Sequence, residues 1–221
     1  MTQHVSETGF SPLAQVEAYW EALRGSRLMP NRAEIDPRGI ENALEYSFIV
    51  ERIAPGIARL RIAGSHLSDL MGMEVRGMPL TAFIAPGSRR QVSDTLEEVF
   101  ETPATCVISL HSPQGPGMPA LDARMVLMPL KSDLGDVSRL LGALVSVGDM
   151  GRSPRRFEVT NVALRPIVCA DSMPVPPKRQ TQKPVSRPVA QVRGFAEPKP
   201  TFETVTPRKD APYLRLVKSD D

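Results

Sequence analysis

The histidines and cysteines of the sequence are the first candidates for nucleophiles, proton carriers or metal ligands. They are the histidines His4, His66 and His111 and the cysteines Cys106 and Cys169. No histidine has a cysteine, an aspartate or a second histidine at metal-site spacing, and the cysteines do not form a C-x-x-C motif. The sequence therefore predicts no metal centre and no disulfide, and a structural role for each of these residues.

The short motifs of nucleophilic and phosphate chemistry are also missing. The sequence contains no G-x-S-x-G, no G-x-x-x-x-G-K-[ST], no G-x-G-x-x-G after a strand and no H-E-x-x-H. The turn Gly115-Pro116-Gly117 has a proline where a phosphate-binding loop needs a backbone N–H donor. We predict a protein without catalytic activity, and a small-molecule enzyme on an α+β scaffold stays as an alternative.

Charge and proline content divide the chain into two parts. Residues 1–150 hold 13 lysines and arginines against 18 aspartates and glutamates, whereas residues 151–221 hold 14 against 7 and half of the 22 prolines. A basic, proline-rich stretch buries too little apolar surface to offset its ordering entropy. We therefore predict a disordered N-terminus over 1–11, a folded domain over 12–150 and a disordered tail over 151–221. Some apolar alternation persists over 152–168 and allows one further helix or strand.

The first predicted element is a helix over residues 12–24 with a narrow apolar stripe. Leu13, Val16, Trp20 and Leu23 follow a 3-4-3 spacing. Two interpretations stay open: the stripe packs on the domain's own sheet, or Val16, Trp20 and Leu23 form the seam of a homodimer.

Residues 48–80 give a strand, a turn, a second strand and a short helix in unbroken order. The turn signal is Ala-Pro-Gly at 54–56, and after it Leu60 and Ile62 alternate with arginines. This pattern predicts a hairpin whose buried face carries Leu60 and Ile62, followed by a short helix with Ser65 as its N-cap.

The remaining predicted elements are a short helix within 31–44, a longer helix over 86–101 and three strands. The short helix is expected to turn Ile40 and Leu44 inward. The strands are predicted over 104–111, 120–128 and 139–147, and the last of them, which is nearly all apolar, belongs at the centre of an antiparallel sheet.

The ordered stretch R-x-R-I-A-G-S-x-L-S-D-L-x-G-x-E-V-R-G over 59–77 resembles the opening of a PAS sensor domain. It is similar in particular to an alphaproteobacterial single-domain PAS family of undefined function, over roughly residues 15–150. The resemblance implies an α+β fold: a five-stranded antiparallel sheet with helices on one face, an N-terminal flanking helix and a disordered C-terminal tail. It rests on Arg59, Arg61, Ala63, Gly64, Leu67, Leu70, Gly72, Glu74, Arg76 and Gly77.

Comparison with PAS relatives implies no cofactor. Haem-binding members carry a ligating histidine on the long helix, and residues 86–101 contain none. Flavin photosensors carry a reactive cysteine in N-C-R-F-L-Q, and this motif is absent. Cys106, on a predicted strand, has no obvious partner that would stabilise a thiolate.

The resemblance also places a pocket between the sheet and its helices. This pocket can hold a small apolar metabolite, with His111 or Arg124 supplying a polar contact, or it can be a filled core. The apolar residues assigned to it are Leu60, Ile62, Leu70, Phe83, Leu96, Phe100, Met125 and Leu144.

The tail offers two further sites. Tyr213, Leu214 and Leu216 form a short apolar motif, which either docks on a protein partner or returns to the edge of its own sheet. The basic residues of the tail either solvate a linker or contact nucleic acid through phosphates, which would make the protein a DNA-associated regulator.

We interpret the chain as a PAS-type sensor or adaptor that signals through protein–protein contacts. The sequence has no run of 18 apolar residues for a membrane span, and its N-terminus lacks the pattern of a secretion signal. We therefore expect a cytoplasmic protein without membrane contact, whose partners are another protein, a second copy of itself or a small apolar ligand.

Overall fold

The computed structural model describes residues 7–132 and 135–167. In these residues, short 3₁₀ segments link three α-helices and six strands, and the longest such segment is Pro37–Tyr46. The helices are α1 Ser11–Arg24, α2 Ser65–Met71 and α3 Arg89–Glu101. The strands are β1 Ser47–Ala54, β2 Ile57–Ala63, β3 Ala104–Ser112, β4 Leu121–Leu130, β5 Arg139–Val147 and β6 Glu158–Pro166.

The strands form one antiparallel sheet in the order β2-β1-β5-β4-β3-β6. Strand β5 lies between β1 and β4, as predicted for the nearly all-apolar segment 139–147. Six consecutive residues of β5 are buried, because a central strand has neighbours on both sides and cover on both faces.

Strand β6 corrects the prediction of five strands. It pairs with β3 along eight residue pairs and lies beyond residue 150, where the sequence placed the end of the domain. Val159, Val162 and Leu164 of β6 are partly buried against the core, so the alternation noted at 152–168 belongs to an edge strand. The remainder of the predicted tail lies outside the described residues, together with Tyr213, Leu214 and Leu216.

Both faces of the sheet are covered, whereas the prediction placed helices on one face only. One face, here called the α3 face, packs against α2 and α3 through residues such as Leu67 and Leu96. The other, the α1 face, packs against α1 and the segment Pro37–Tyr46. Adjacent residues of β1 explain why two covers are needed, since Phe48 is buried on the α3 face and Ile49 on the α1 face.

Helix α1 packs its apolar stripe on its own sheet. Val16 and Trp20 are fully buried, Leu23 is half-buried, and Nε1 of Trp20 donates a hydrogen bond of 3.0 Å to the carbonyl of Pro129 in β4. This arrangement agrees with the first interpretation of the stripe. A homodimer seam built on Val16 and Trp20 would require both side chains to leave the sheet.

A β-bulge overturns the predicted placement of Ile62. Ile49 pairs with Ile62, but the next residue, Val50, pairs with Leu60, so Arg61 is an extra residue in β2. One extra residue reverses the face on which the following side chain lies. Leu60 is therefore buried on the α3 face as predicted, whereas Ile62 is 51% exposed beside Ile49 on the α1 face.

The bulge leads to a prediction about stability. Leu60→Ala should lower the free energy of unfolding by about 2 to 5 kcal/mol, because it leaves a cavity in a closed core. Ile62→Ala should change it by no more than about 0.5 kcal/mol, because Ile62 is already half in water. Urea unfolding of both variants measures this, and equal losses would place Ile62 back in the core.

A buried arginine connects two loops and the end of helix α2. Arg155, between β5 and β6, is inaccessible to solvent and donates hydrogen bonds to the carbonyls of Pro119, at 2.6 Å, and Met150, at 3.2 Å. Its backbone N–H donates to the carbonyl of Leu70 at the end of α2, at 2.7 Å. Burial lowers the pKa of its guanidinium, while the nearby carboxylate of Asp149 raises it.

We expect Arg155→Ala to reduce the free energy of unfolding by about 2 to 4 kcal/mol, because two buried carbonyls lose their donor. The neighbouring Arg156 is exposed, and Arg156→Ala is the matched control, with an expected change below about 0.5 kcal/mol. Chemical unfolding of the two variants separates these outcomes, and similar values for both would show that Arg155 is not a structural tie.

Candidate functional site

An open apolar groove lies on the α1 face, between β1, β2 and the segment Pro37–Tyr46. Its volume is about 580 Å³. Ile40, Ile49 and Leu141 are buried at its base, whereas Leu44 and Ile62 line it while being 42% and 51% exposed. The groove is therefore a concave apolar surface that stays in contact with water.

The groove exists because the cover of the α1 face has two different parts. Helix α1 lies over β4 and β5, and only the short segment Pro37–Tyr46 reaches towards β1. This segment consists of 3₁₀ turns that meet at a kink at Ile40, where the backbone angles are not helical, and it buries Ile40 and Ala43 but leaves Leu44 exposed. The prediction that Leu44 faces inward is wrong for this reason.

Gly64 brings one end of the groove close to the backbone of the segment that covers it. Its N–H donates a hydrogen bond of 2.8 Å to the carbonyl of Ser47. A Cβ at this position would lie 2.1 Å from the carbonyl oxygen of Glu45. A glycine is therefore required where β2 passes into α2.

The predicted pocket residues divide between the two faces of the sheet. Seven of the ten are buried in a single cluster on the α3 face, and Ile62 is on the other side of the sheet. The seven are Leu60, Leu70, Phe83, Leu96, Phe100, Met125 and Leu144.

The two polar residues assigned to the pocket also face away from that cluster. His111 and Arg124 alternate with Leu110 and Met125, whose side chains belong to it. Arg124 instead lies over the ring of Phe10, 4.5 Å from its centre. Because of strand alternation, neither side chain supplies the polar contact that was predicted for the pocket.

His111 forms a cross-strand pair that the sequence analysis did not identify. Its Nδ1 lies 2.7 Å from Oδ1 of Asp122, the residue opposite it on β4, and both side chains are about 40% exposed. Such a pair follows from the β3–β4 register, which the sequence alone does not supply. Cys106 lies five residues away along β3, a distance of roughly 16 Å, so its thiol cannot be activated by His111.

The thiol of Cys106 is poorly suited to nucleophilic chemistry. It is fully buried, and burial, with a smaller contribution from Glu98, raises its pKa to about 12. A thiol with this pKa is protonated at neutral pH and does not act as a nucleophile. Within the described ranges, no three histidine, cysteine, aspartate or glutamate side chains are grouped to hold a metal ion.

Among the described residues, His66 and Ser146 form a contact that resembles a catalytic serine–histidine pair. Nε2 of His66 and Oγ of Ser146 are 3.1 Å apart, and the histidine ring packs edge-on against Tyr46 with centres 4.9 Å apart. Catalytic serine–histidine pairs also need a group that orients the histidine. In the part of the chain that the structure covers, no hydrogen bond to Nδ1 of His66 is formed.

Family comparison agrees with this architecture. The model of the PAS domain family matches residues 9–145, more than half of the chain. The chain belongs to the PAS domain family. The chain has no significant match among curated proteins.

Several solved structures resemble this PAS domain at low identity. A light-oxygen-voltage domain studied with a flavin analogue is 17% identical, with a TM-score of 0.39 over 51% of this chain and 84% of that one. The light state of the blue-light photoreceptor Aureochrome1 LOV is 16% identical, with a TM-score of 0.37 over 51% and 88%. An RNA-binding light-oxygen-voltage receptor is 18% identical, with a TM-score of 0.37 over 53% and 35%.

None of the helices in the described part of the PAS domain is both long and apolar enough to cross a membrane.

The groove itself was missed by the sequence analysis, which placed Leu44 and Ile62 in the core. No sequence signal marks the bulge at Arg61, because the alternation of apolar and charged residues continues through it.

The burial of His66 predicts a pH dependence of stability. Desolvation lowers the pKa of His66 below its ordinary value of 6.5, against smaller opposite effects of Asp69 and Glu45. The unfolded chain therefore takes up the proton first, and stability falls as the pH drops below about 6.5. Urea unfolding at pH 7.5 and 5.5 should show a larger loss for the wild type than for His66→Gln. An identical loss in both proteins would contradict the buried, neutral state.

Proposed function

We propose that this PAS domain is a sensor or adaptor that passes a signal on through protein–protein contacts and not through catalysis. The observation that carries the proposal is the open apolar groove, where Leu44 and Ile62 stay half in water. Single apolar side chains on a surface need no explanation, but a contiguous apolar hollow is typical of binding sites.

The chemistry of the described residues supports the same proposal. The thiol of Cys106 is held protonated by burial, and the contact between His66 and Ser146 has no orienting carboxylate hydrogen-bonded to His66. The His111–Asp122 pair is a half-exposed contact between neighbouring strands. These groups have structural environments, whereas the groove has the features of a recognition surface.

The input to the sensor is a separate part of the proposal. A small apolar metabolite would be received by the buried cluster on the α3 face that contains Leu70, Phe83 and Leu96. Because these side chains pack against one another, a ligand would have to move them on entering. Such a movement could reach the groove through β1, whose Phe48 contacts that cluster and whose Ile49 lines the groove.

The test uses a charge placed in the groove and a matched control on the same strand. Ile57 is 47% exposed on β2 but does not line the groove. Full-length wild type, Ile62→Glu and Ile57→Glu are purified from the native host and examined by native mass spectrometry. We expect one partner protein to be bound by the wild type and by Ile57→Glu. With Ile62→Glu, at least about 90% of that complex should be lost, because the partner would bury an unpaired charge in the groove.

Thermal unfolding checks that both variants stay folded, which their exposed positions favour. A partner that is retained equally by all three proteins, or the absence of any partner, would contradict docking in the groove. The same spectra report a bound metabolite as an added mass. One experiment therefore tests both metabolite binding and partner binding.

A further inference from the structure

A second hollow adjoins the apolar groove and is lined mainly by charged side chains. Its volume is about 390 Å³, and it shares Arg32, Ile49 and Ile62 with the groove. Because these three residues line both hollows, the two form one continuous surface on the α1 side of β1 and β2. We call the second part the arginine hollow.

The arginine hollow carries an excess of positive charge. Glu51 is the single carboxylate among the described residues that line it, against four guanidinium groups. These belong to Arg32, Arg61, Arg76 and Arg139.

The one carboxylate is already shared by two of the arginines. Nε of Arg61 is hydrogen-bonded to one oxygen of Glu51, and Nη2 of Arg139 lies 3.3 Å from the other. Burial alone would raise the pKa of Glu51, but the hydrogen bonds from both arginines outweigh it, so the pKa is lowered and the carboxylate is ionised at neutral pH. In the described part of the chain, the buried Nε of Arg139 still has no hydrogen-bond acceptor.

The other two arginines of the hollow differ from this pair. Among the residues that the structure describes, neither Arg32 nor Arg76 forms a side-chain ion pair. Arg32 stands at the junction of the two hollows and Arg76 lies in the arginine hollow alone. An anionic group bound here would meet two unpaired guanidinium groups, which can each bind a carboxylate with two hydrogen bonds.

The shape of the surface distinguishes between a small molecule and a peptide. Small-molecule sites enclose most of their ligand, whereas this groove leaves Leu44 and Ile62 half exposed along its side. Open apolar grooves of this kind accept the apolar face of an amphipathic helix.

We propose that the groove and the arginine hollow together bind an acidic amphipathic helix of a partner protein. The inference rests on the proposed function and deepens it by stating the chemistry of the partner. Leucine-like side chains at positions i, i+3, i+4 and i+7 of the partner helix enter the groove. Aspartates or glutamates of the same segment reach Arg32 and Arg76.

The surface also sets the direction of the charge along the partner segment. Glu45 lines the groove but not the arginine hollow. A carboxylate near Glu45 would be repelled, whereas one near Arg76 would be attracted. The acidic residues of the bound segment should therefore cluster at one end and not be spread evenly.

The experiment selects binders from a random library of 16-residue peptides displayed on phage, with the full-length chain as the target. Selections run in parallel on the wild type, Ile62→Glu and the control Ile57→Glu. We expect wild type and control to enrich the same peptides, with a net negative charge and apolar residues at helical spacing. Selection on Ile62→Glu should not enrich them.

The contribution of charge is then measured on the enriched peptides by fluorescence anisotropy. Arg76→Glu and Arg32→Glu should each raise the dissociation constant by about tenfold, and the effect should shrink at high salt. Arg90→Glu is the control, because Arg90 is exposed on α3 and lines neither hollow. It should leave the dissociation constant unchanged within about twofold.

The outcomes separate this inference from the proposed function. Enrichment that depends on Ile62 but yields neutral or basic peptides would overturn the acidic partner and leave docking in the groove intact. No enrichment on the wild type, or enrichment that ignores Ile62→Glu, would overturn both. Binding of oleate at a stoichiometry of one, without any peptide consensus, would assign the surface to fatty acids. Dimerisation of the wild type that Ile62→Glu abolishes would assign it to a second copy of the chain. Either assignment overturns the inference.

Discussion

Burial of the inner strands on both faces is the constraint on which the rest of this structure depends. Strands β1, β4 and β5 place apolar side chains alternately on the α3 face and on the α1 face, so an uncovered face would leave a row of leucines and valines in water. The α3 face is closed by α2, α3 and the segments between them. The α1 face needs its own cover, and α1 supplies it only over β4 and β5.

The groove is a consequence of that incomplete cover. A 3₁₀ segment, Pro37–Tyr46, closes the space beside β1 with two residues, Ile40 and Ala43, and leaves Leu44 outside. The bulge at Arg61 then adds Ile62 to the same open side. Exposed apolar surface costs about 25 cal/mol per Å², so a partner that covers these side chains regains this free energy on binding.

The polar residues of the domain fall into two groups with different roles. Arg155 and His66 lie in largely enclosed sites where hydrogen bonds to Pro119 and Ser146 fix loops and helix α2 against the sheet. Arg32 and Arg76 beside the groove instead form no ion pair among the described residues. Buried polar groups are costly to disturb and therefore stabilise a single arrangement, whereas unpaired surface charges are free to select a partner.

The sequence by itself determined the type and order of the three helices and the first five strands, and it indicated the family. Periods of two and of about 3.6 residues are local properties, so the helices over 12–24 and 86–101, the hairpin and the later strands could be located, and the pattern over 59–77 is a PAS signature. The central position of β5 followed from its nearly continuous apolar run. The helical stripe with Val16 and Trp20 indicated an apolar face, but it did not decide between packing on the sheet and packing on a second copy of the chain.

Tertiary structure decided which face each side chain occupies. Ile62 and Leu44 were placed in the core because alternation and helical spacing both predict burial. Instead, an extra residue in β2 leaves Ile62 exposed, and the kinked 3₁₀ segment leaves Leu44 exposed. Neither feature leaves a mark in the local pattern, because a bulge depends on the pairing with the neighbouring strand. The sixth strand, the pairing of His111 with Asp122 and the gathering of four arginines also depend on residues that are distant in the chain. Contacts of that kind arise from the packing of the whole domain, and no local propensity encodes them.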